Sequence, residues 1–112
     1  MKTEKFHIDF ILDSIRKIED SIININVEDF KKLQEKQSTA ILQLMLIGET
    51  SKKLSEETRK KIDLPWKEII GFRDMAIHDY VNLDLDKIWE TIQQDVPNLK
   101  TKLLDYKDKN ID

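Results

Sequence analysis

The sequence predicts an all-α protein, an up-and-down bundle of four main helices plus a short connecting helix. Three observations predict it. Two glycines and two prolines in 112 residues are too few turn formers for a β-sandwich. Hydrophobic residues make up 39% of the chain and charged ones 37%, which suits helices with strongly polar outer faces. The apolar residues also recur at steps of three and four rather than two.

The elements follow in order. Ile8, Ile11, Ile15, Ile18, Ile22 and Ile25 form the stripe of a first amphipathic helix. In "NVEDF", Asn26 suits the cap of a short connecting helix over 27–33, with Asp29 well placed in its first turn. "AILQLMLIGE" is apolar on nearly every side and marks the central buried helix, expected to continue in a more polar form through "TSKKLSEETRKK". Leu64-Pro65 interrupts the chain, and a new helix is expected to start near Pro65 or Trp66. "VNLDLD" then supplies a break and a cap at Asp84. Leu85, Trp89, Ile92, Val96, Leu99, Leu103 and Tyr106 step along a last helix that Pro97 should kink or divide. The tail, 107–112, is expected to fray. With no linker, repeat or low-complexity segment, residues 1–112 read as a single domain.

Composition excludes several functions. Without cysteine there are no disulfides, thiolate metal sites or cysteine nucleophiles. No apolar run approaches the ~20 residues of a membrane span, and "MKTEKFHIDF" has no signal-peptide core, so a soluble, cytoplasmic protein is expected. A net charge of −3 argues against a broad nucleic-acid-binding surface. The charge is uneven, however. Residues 50–73 hold seven cations against four anions, leaving +3 there and −6 over the rest. On its own such a run reads as a solvated helix end, but it leads directly into Arg73.

The chemistry gathers in "GFRDMAIHDYV", residues 71–81, which holds Arg73, His78 and Tyr80. On a helix turning about 100° per residue, Arg73 and His78 point roughly 140° apart, so one straight helix cannot focus both on one atom. Asp74 stands one turn before His78, within reach of it. Cleaving RNA without a metal needs a base for the ribose 2′-hydroxyl, an acid for the leaving 5′-oxygen and a cation for the phosphorane charge. Histidine and arginine suit those tasks, and a two-fold dimer pairing this helix with its copy would supply two of each. Gly71 would let two such helices approach closely. The second histidine, His7, sits in the first turn of another helix.

"RDMAIHDY" resembles the Arg-x4-His-x-Tyr signature of the HepT-like toxins, within the HEPN superfamily of small helical ribonucleases. The likeness extends to "LIGETSKKLSEETR", to the Pro-Trp lead-in and motif helix of "LPWKEIIGFRDMAIHDYV", and to "LDKIWETIQQDVPNLK", in the family's order over most of the chain. The resemblance implies a HEPN-like bundle and a homodimer cutting RNA independently of metal or cofactor, with Arg73 and His78 as the catalytic pair. Asp74 matches the polar residue that often follows the arginine. The resemblance further implies the toxin of a type VII toxin–antitoxin system. Its partner is a minimal nucleotidyltransferase antitoxin of the MntA type, which attaches AMP to the tyrosine matching Tyr80. One departure is Asp79, where relatives often carry glycine; its carboxylate either repels phosphate or favours the imidazolium of His78.

Each residue also has a plainer reading. A lone histidine is more often a surface or core residue, and only the register with Arg73 and Tyr80 favours catalysis for His78. Glu49, an acid in an apolar stretch, is expected to pair with and orient Arg73. Trp66, Phe72 and Trp89 are expected in the core. Asp74 and His78 without a third ligand make a poor metal site. The rival function is a non-catalytic helical module that binds and regulates a nucleotidyltransferase.

Overall fold

A computed structural model of the chain describes residues 3–111. Their regular structure is helical throughout, with no strand among the described residues. α1 (Glu4–Ser21) starts where the Thr3 hydroxyl accepts the Phe6 N–H. Its Ile8, Ile11, Ile15 and Ile18 are fully buried. α2 (Val27–Lys32) opens with a reciprocal cap: Asn26 accepts from the Asp29 amide, and the Asp29 carboxylate accepts from the Asn26 amide. The preceding turn places Asn24 at φ 63°, a left-handed conformation that asparagine tolerates.

α3 (Gln34–Ser51) is central and packs against both α1 and α5. Ala40, Ile41, Leu44 and Ile47 are buried along it, while Leu42 stays exposed, so the helix is less enclosed than its composition suggests. It also ends earlier than expected. The Ser55 hydroxyl accepts the Thr58 N–H and caps a separate helix, α4 (Glu56–Lys61), making a second connector. Glu4 at the start of α1 accepts the Ser55 amide, joining the two elements across 51 residues.

α5 (Trp66–His78) follows Pro65 as the residue pattern requires. After a 3₁₀ turn (Tyr80–Asn82), α6 (Leu85–Glu90) is capped by Asp84, whose carboxylate accepts from the Asp86 and Lys87 amides. Pro97 does divide the last helix, by a specific device. It cannot donate to the carbonyl four residues back, and its ring would strike that carbonyl. Residues Thr91–Asp95 widen into a π-helical turn, in which the Val96 N–H reaches the Thr91 carbonyl, and α7 (Val96–Asn110) resumes beyond it.

α7 runs antiparallel to α1, with ion pairs Asp9–Lys107 and Glu19–Lys100 at the two ends of their contact. The expected fraying over 107–112 gives way to helix through Asn110; Asp112 lies outside the described residues. Lys107 bonds to Asp9, Lys109 to Asp105, and the Asn110 amide donates to the Tyr106 carbonyl, so the last turn is held from several sides. No described helix is long and apolar enough to cross a membrane.

α3 and α5 meet through Gly48. A Cβ built there would lie 2.6 Å from the Ile69 carbonyl oxygen and 3.4 Å from that of Ile70. Backbone cannot move aside as a side chain can. Gly48→Ala should therefore cost about 1–3 kcal/mol and lower Tm by several degrees, measured by thermal unfolding. An unchanged Tm would mean that the two helices are not in close contact.

The Asp9 pair has a pH signature. Hydrogen bonds from Lys107, and then Lys5, hold the Asp9 carboxyl below its ordinary value of 3.8. The folded-state pKa is the lower one. Its stabilisation is thus complete above the ordinary value and lost as pH falls through the depressed one. Asp9→Asn is expected to cost up to about 1 kcal/mol at neutral pH, and the difference from the parent should vanish in acid below the folded value. A difference that persists unchanged there would assign the cost to packing instead.

Candidate functional site

The 71–81 stretch lies at the open end of α5. Pro65 allows the helix to start, and Trp66 fixes it: the indole N–H donates to the Arg59 and Ile62 carbonyls at 2.9 and 3.0 Å, tying α5 to the end of α4. Gly48 then brings the α5 backbone against α3, with Ile69 and Phe72 packed on the core and Ala76 fully buried. The buried strip is narrow. Met75, Ile77 and His78 reach solvent from the rest of the helix.

Arg73 and Glu49 meet as the residue types suggest. Arg73 Nε lies 2.8 Å from Glu49 Oε2, and both side chains are about two-fifths exposed (43% and 40%). The contact is an ion pair rather than an aligned hydrogen bond, since Oε2 gains no properly directed donor. Arg73 Nη1 also donates to Asp74 Oδ1 at 3.2 Å. Nη2 has no partner among the described residues, so one edge of the guanidinium remains available to an anion.

This differs from the sequence expectation for Asp74. Spacing puts it within reach of His78, but it turns to the permanently charged guanidinium of Arg73. The His78 imidazole is exposed and has no hydrogen-bond or ion-pair partner among the described residues. Asp79 ends the helix, and its carboxylate accepts from the Asn82 side chain at 2.8 Å.

Tyr80 lies beyond the end of α5. The helix closes at His78, and Tyr80 begins the 3₁₀ turn with its side chain 51% exposed, beside Val81 at 92%. His7, by contrast, is buried in α1 with its ring edge against Phe6. Trp66, Phe72 and Trp89 pack on the core as expected, Trp89 against Phe30 with ring centres 5.3 Å apart. Among the described residues, no three histidine, aspartate or glutamate side chains assemble as a metal-ligand set.

One feature escaped the residue pattern. A cleft of about 450 Å³ opens between α5 and the last helix, lined by Leu64, Ile69, Phe72, Met75, Val96 and Leu99 among others. Gly71 faces it, and a Cβ there would meet nothing within 4 Å. Gly71 and Met75, four apart, line it from α5, and Thr91 and Asp95 of the π-helical turn line it from across.

Comparison with known proteins adds a family. The profile described as "Ribonuclease HepT-like" matches residues 11–105. "Putative RNase TTE0752" of Caldanaerobacter subterraneus is 36% identical over 92% of this chain and 93% of its own length. "Probable ribonuclease HepT" of Thermococcus cleftensis is 32% identical over 90% and 93%. "Gamma-glutamylcyclotransferase and putative RNase MJ0434" of Methanocaldococcus jannaschii is 35% identical over 97% of this chain, which spans only 51% of that relative. No solved structure matches.

The exposure of the Arg73–Glu49 pair limits its strength. A double-mutant cycle of Glu49→Gln and Arg73→Gln, followed by urea unfolding, should return a coupling of about 0.2–1 kcal/mol. A coupling well above 2 kcal/mol would show a desolvated pair and remove Arg73 from the solvent-facing surface.

Proposed function

This chain belongs to the HepT-like ribonuclease family, and on that premise we propose that it is a metal-independent endoribonuclease, the toxin of a type VII (HepT/MntA) toxin–antitoxin pair. The observation that carries this reading is the grouping at the end of α5. Arg73 keeps an unpartnered edge, and His78 and Tyr80 both face solvent within a few residues of it.

The site is composite. Because Arg73 and His78 diverge around α5, a second copy supplies the groups that one chain cannot aim. Exposed Met75, Ile77 and Val81, with the open Gly71, support a close approach of two motif helices. One imidazole takes the 2′-hydroxyl proton as that oxygen attacks phosphorus. The bond to the 5′-oxygen breaks, and the imidazolium of the other copy protonates it. The products are a 2′,3′-cyclic phosphate and a 5′-hydroxyl. Arg73 stabilises the charge on the phosphorane, with Glu49 and Asp74 holding its guanidinium in place.

Tyr80 is the point of control. Its phenol oxygen attacks the α-phosphorus of ATP on an MntA-like nucleotidyltransferase; pyrophosphate leaves and the phenol proton passes to the partner enzyme or water. The attached AMP adds bulk and negative charge where RNA phosphate must bind, competing for Arg73. Cleavage stops.

The test combines three measurements. With EDTA present, the parent should sediment as a dimer and cut RNA, whereas a folded His78→Ala protein should be slower by at least about a hundredfold. With the nucleotidyltransferase, ATP and Mg²⁺, intact mass should rise by AMP units on the parent and not on Tyr80→Phe, which should remain active. Equal cleavage by His78→Ala would end the catalytic proposal, and RNA left intact by the parent would favour a non-catalytic module that regulates the transferase. A monomer that cleaves would remove the composite site.

A further inference from the structure

The cations of this acidic chain are mostly neutralised in place. Lys5, Arg16, Lys17, Lys31, Lys100 and Lys107, for example, each lie against a carboxylate. The described cations without an ion pair concentrate elsewhere: Lys52, Lys53, Arg59, Lys60 and Lys67 have none. The other three, Lys32, Lys36 and Lys87, lie toward the opposite end of the bundle. There Asp86, with Glu28 and Asp84 adding to it, holds the neighbouring Lys31 above its ordinary pKa.

Packing brings the segments that carry the five to one end of the bundle. The Gly48–Ile69 contact sets the end of α3 beside the start of α5. Trp66 ties the last turn of α4 to that same start through the Arg59 and Ile62 carbonyls. Lys52 and Lys53 therefore follow Glu49 by one turn, just past its contact with Arg73, with Lys60 on α4 and Lys67 in the first turn of α5. Nearby anions are largely engaged: Glu57 pairs with Lys61, Asp63 with Lys102, and Glu4 accepts the Ser55 amide. Glu56 and Glu68 remain. Helix dipoles explain Arg59 and Lys60, which end α4. They do not explain Lys67, which sits at a helix N-terminus that no side chain caps, where a cation is disfavoured.

We propose that Lys52, Lys53, Lys60 and Lys67 form a track that binds the RNA backbone beside the cleavage site. The proposal rests on the RNA-cleaving reading above. Lys67 precedes Arg73 by six residues, about 9 Å along the helix axis and roughly 120° around it, so a strand whose scissile phosphate sits at Arg73 reaches Lys67 by crossing the exposed face of α5. The contacts are to phosphate, and they supply affinity without sequence preference. A minority of unpaired cations thus accounts for how a chain of net charge −3 holds a polyanion.

The experiment measures binding of a fluorescent single-stranded RNA oligonucleotide across a salt series, in a His78→Ala background to prevent cutting. Changing Lys52, Lys53, Lys60 and Lys67 together to Gln should weaken binding roughly tenfold or more at low salt. It should also flatten the log–log salt slope by about 2–3, at ~0.7 for each phosphate no longer neutralised. In the otherwise unmodified enzyme the same changes should raise KM and leave kcat within about twofold, since none of the four touches the reacting phosphate. Changing the paired Lys5, Lys17 and Lys109 to Gln should leave the slope as it was. An unaltered slope in the fourfold variant, or an equal loss in the control, overturns the track while leaving the cleavage reading intact. So does retained RNA binding with loss of binding to polyglutamate, which would assign the patch to an acidic protein. Failure of the parent background to bind RNA would overturn the cleavage reading itself.

Discussion

The close passage of α5 over α3 at Gly48 is the constraint on which the rest depends. A side chain at that position would meet the Ile69 carbonyl at 2.6 Å, and nothing on the facing side is free to yield. With hydrogen there, the two backbones come close enough for Glu49, the next residue, to touch Arg73 across the interface. Position 48 thus sets the separation and position 49 the electrostatics. The placement of the arginine follows from both, and so does the meeting of the α3 and α4 ends with the start of α5.

α5 is held on a narrow strip. Along the whole helix only Ala76 is buried outright, and Ile69, Phe72 and Trp66 complete its contacts with the core. A helix buried this little gains modest hydrophobic stabilisation, and Trp66 offsets this by anchoring the first turn through two hydrogen bonds. The far end has no equivalent anchor. It closes into the 3₁₀ turn, with Asp79 and Asn82 bonded to each other and Tyr80 and Val81 projecting outward. The chemistry-bearing residues are therefore at the less restrained, solvent-facing end of the helix.

Much of this is legible from the residues. The isoleucine stripe of α1, the Asn26–Asp29 cap, the start at Trp66, the Asp84 cap and the Arg73–Glu49 pair each follow from short-range periodicity or local chemistry. Most of the misses share a cause. Where α3 ends depends on whether Ser55 caps a new helix or sits inside an old one, and its link to Glu4, 51 residues away, is invisible locally. The order of α7 through Asn110 depends on α1 through Asp9 and Lys107, 98 residues apart. The turn of Asp74 toward Arg73 is different: two neighbours compete for one carboxylate, and spacing favours the histidine where charge favours the arginine. Pro97 belongs with the long-range cases. Its presence predicts a break, but the remedy, a π-helical turn, is set by the packing that holds Ile92 and Val96 in the core.

Net charge is an incomplete description of the surface for a related reason. At −3 the chain reads as indifferent or averse to nucleic acid. What a polyanion meets, however, is the set of cations that no carboxylate has neutralised, and pairing is decided in three dimensions. α1 and α7 lock their lysines against Asp9, Asp13, Glu19 and Asp105. The segment from 52 to 67 is folded back on itself by the α4 turn, and most of its cations are left facing solvent without a partner. An ion pair that stabilises a helix by a few tenths of a kcal/mol also removes a phosphate ligand from the surface. By that logic the acidic excess and the basic segment are parts of one arrangement: carboxylates neutralise lysine over much of the bundle, and most of the unpaired cations lie in the segment that leads to Arg73.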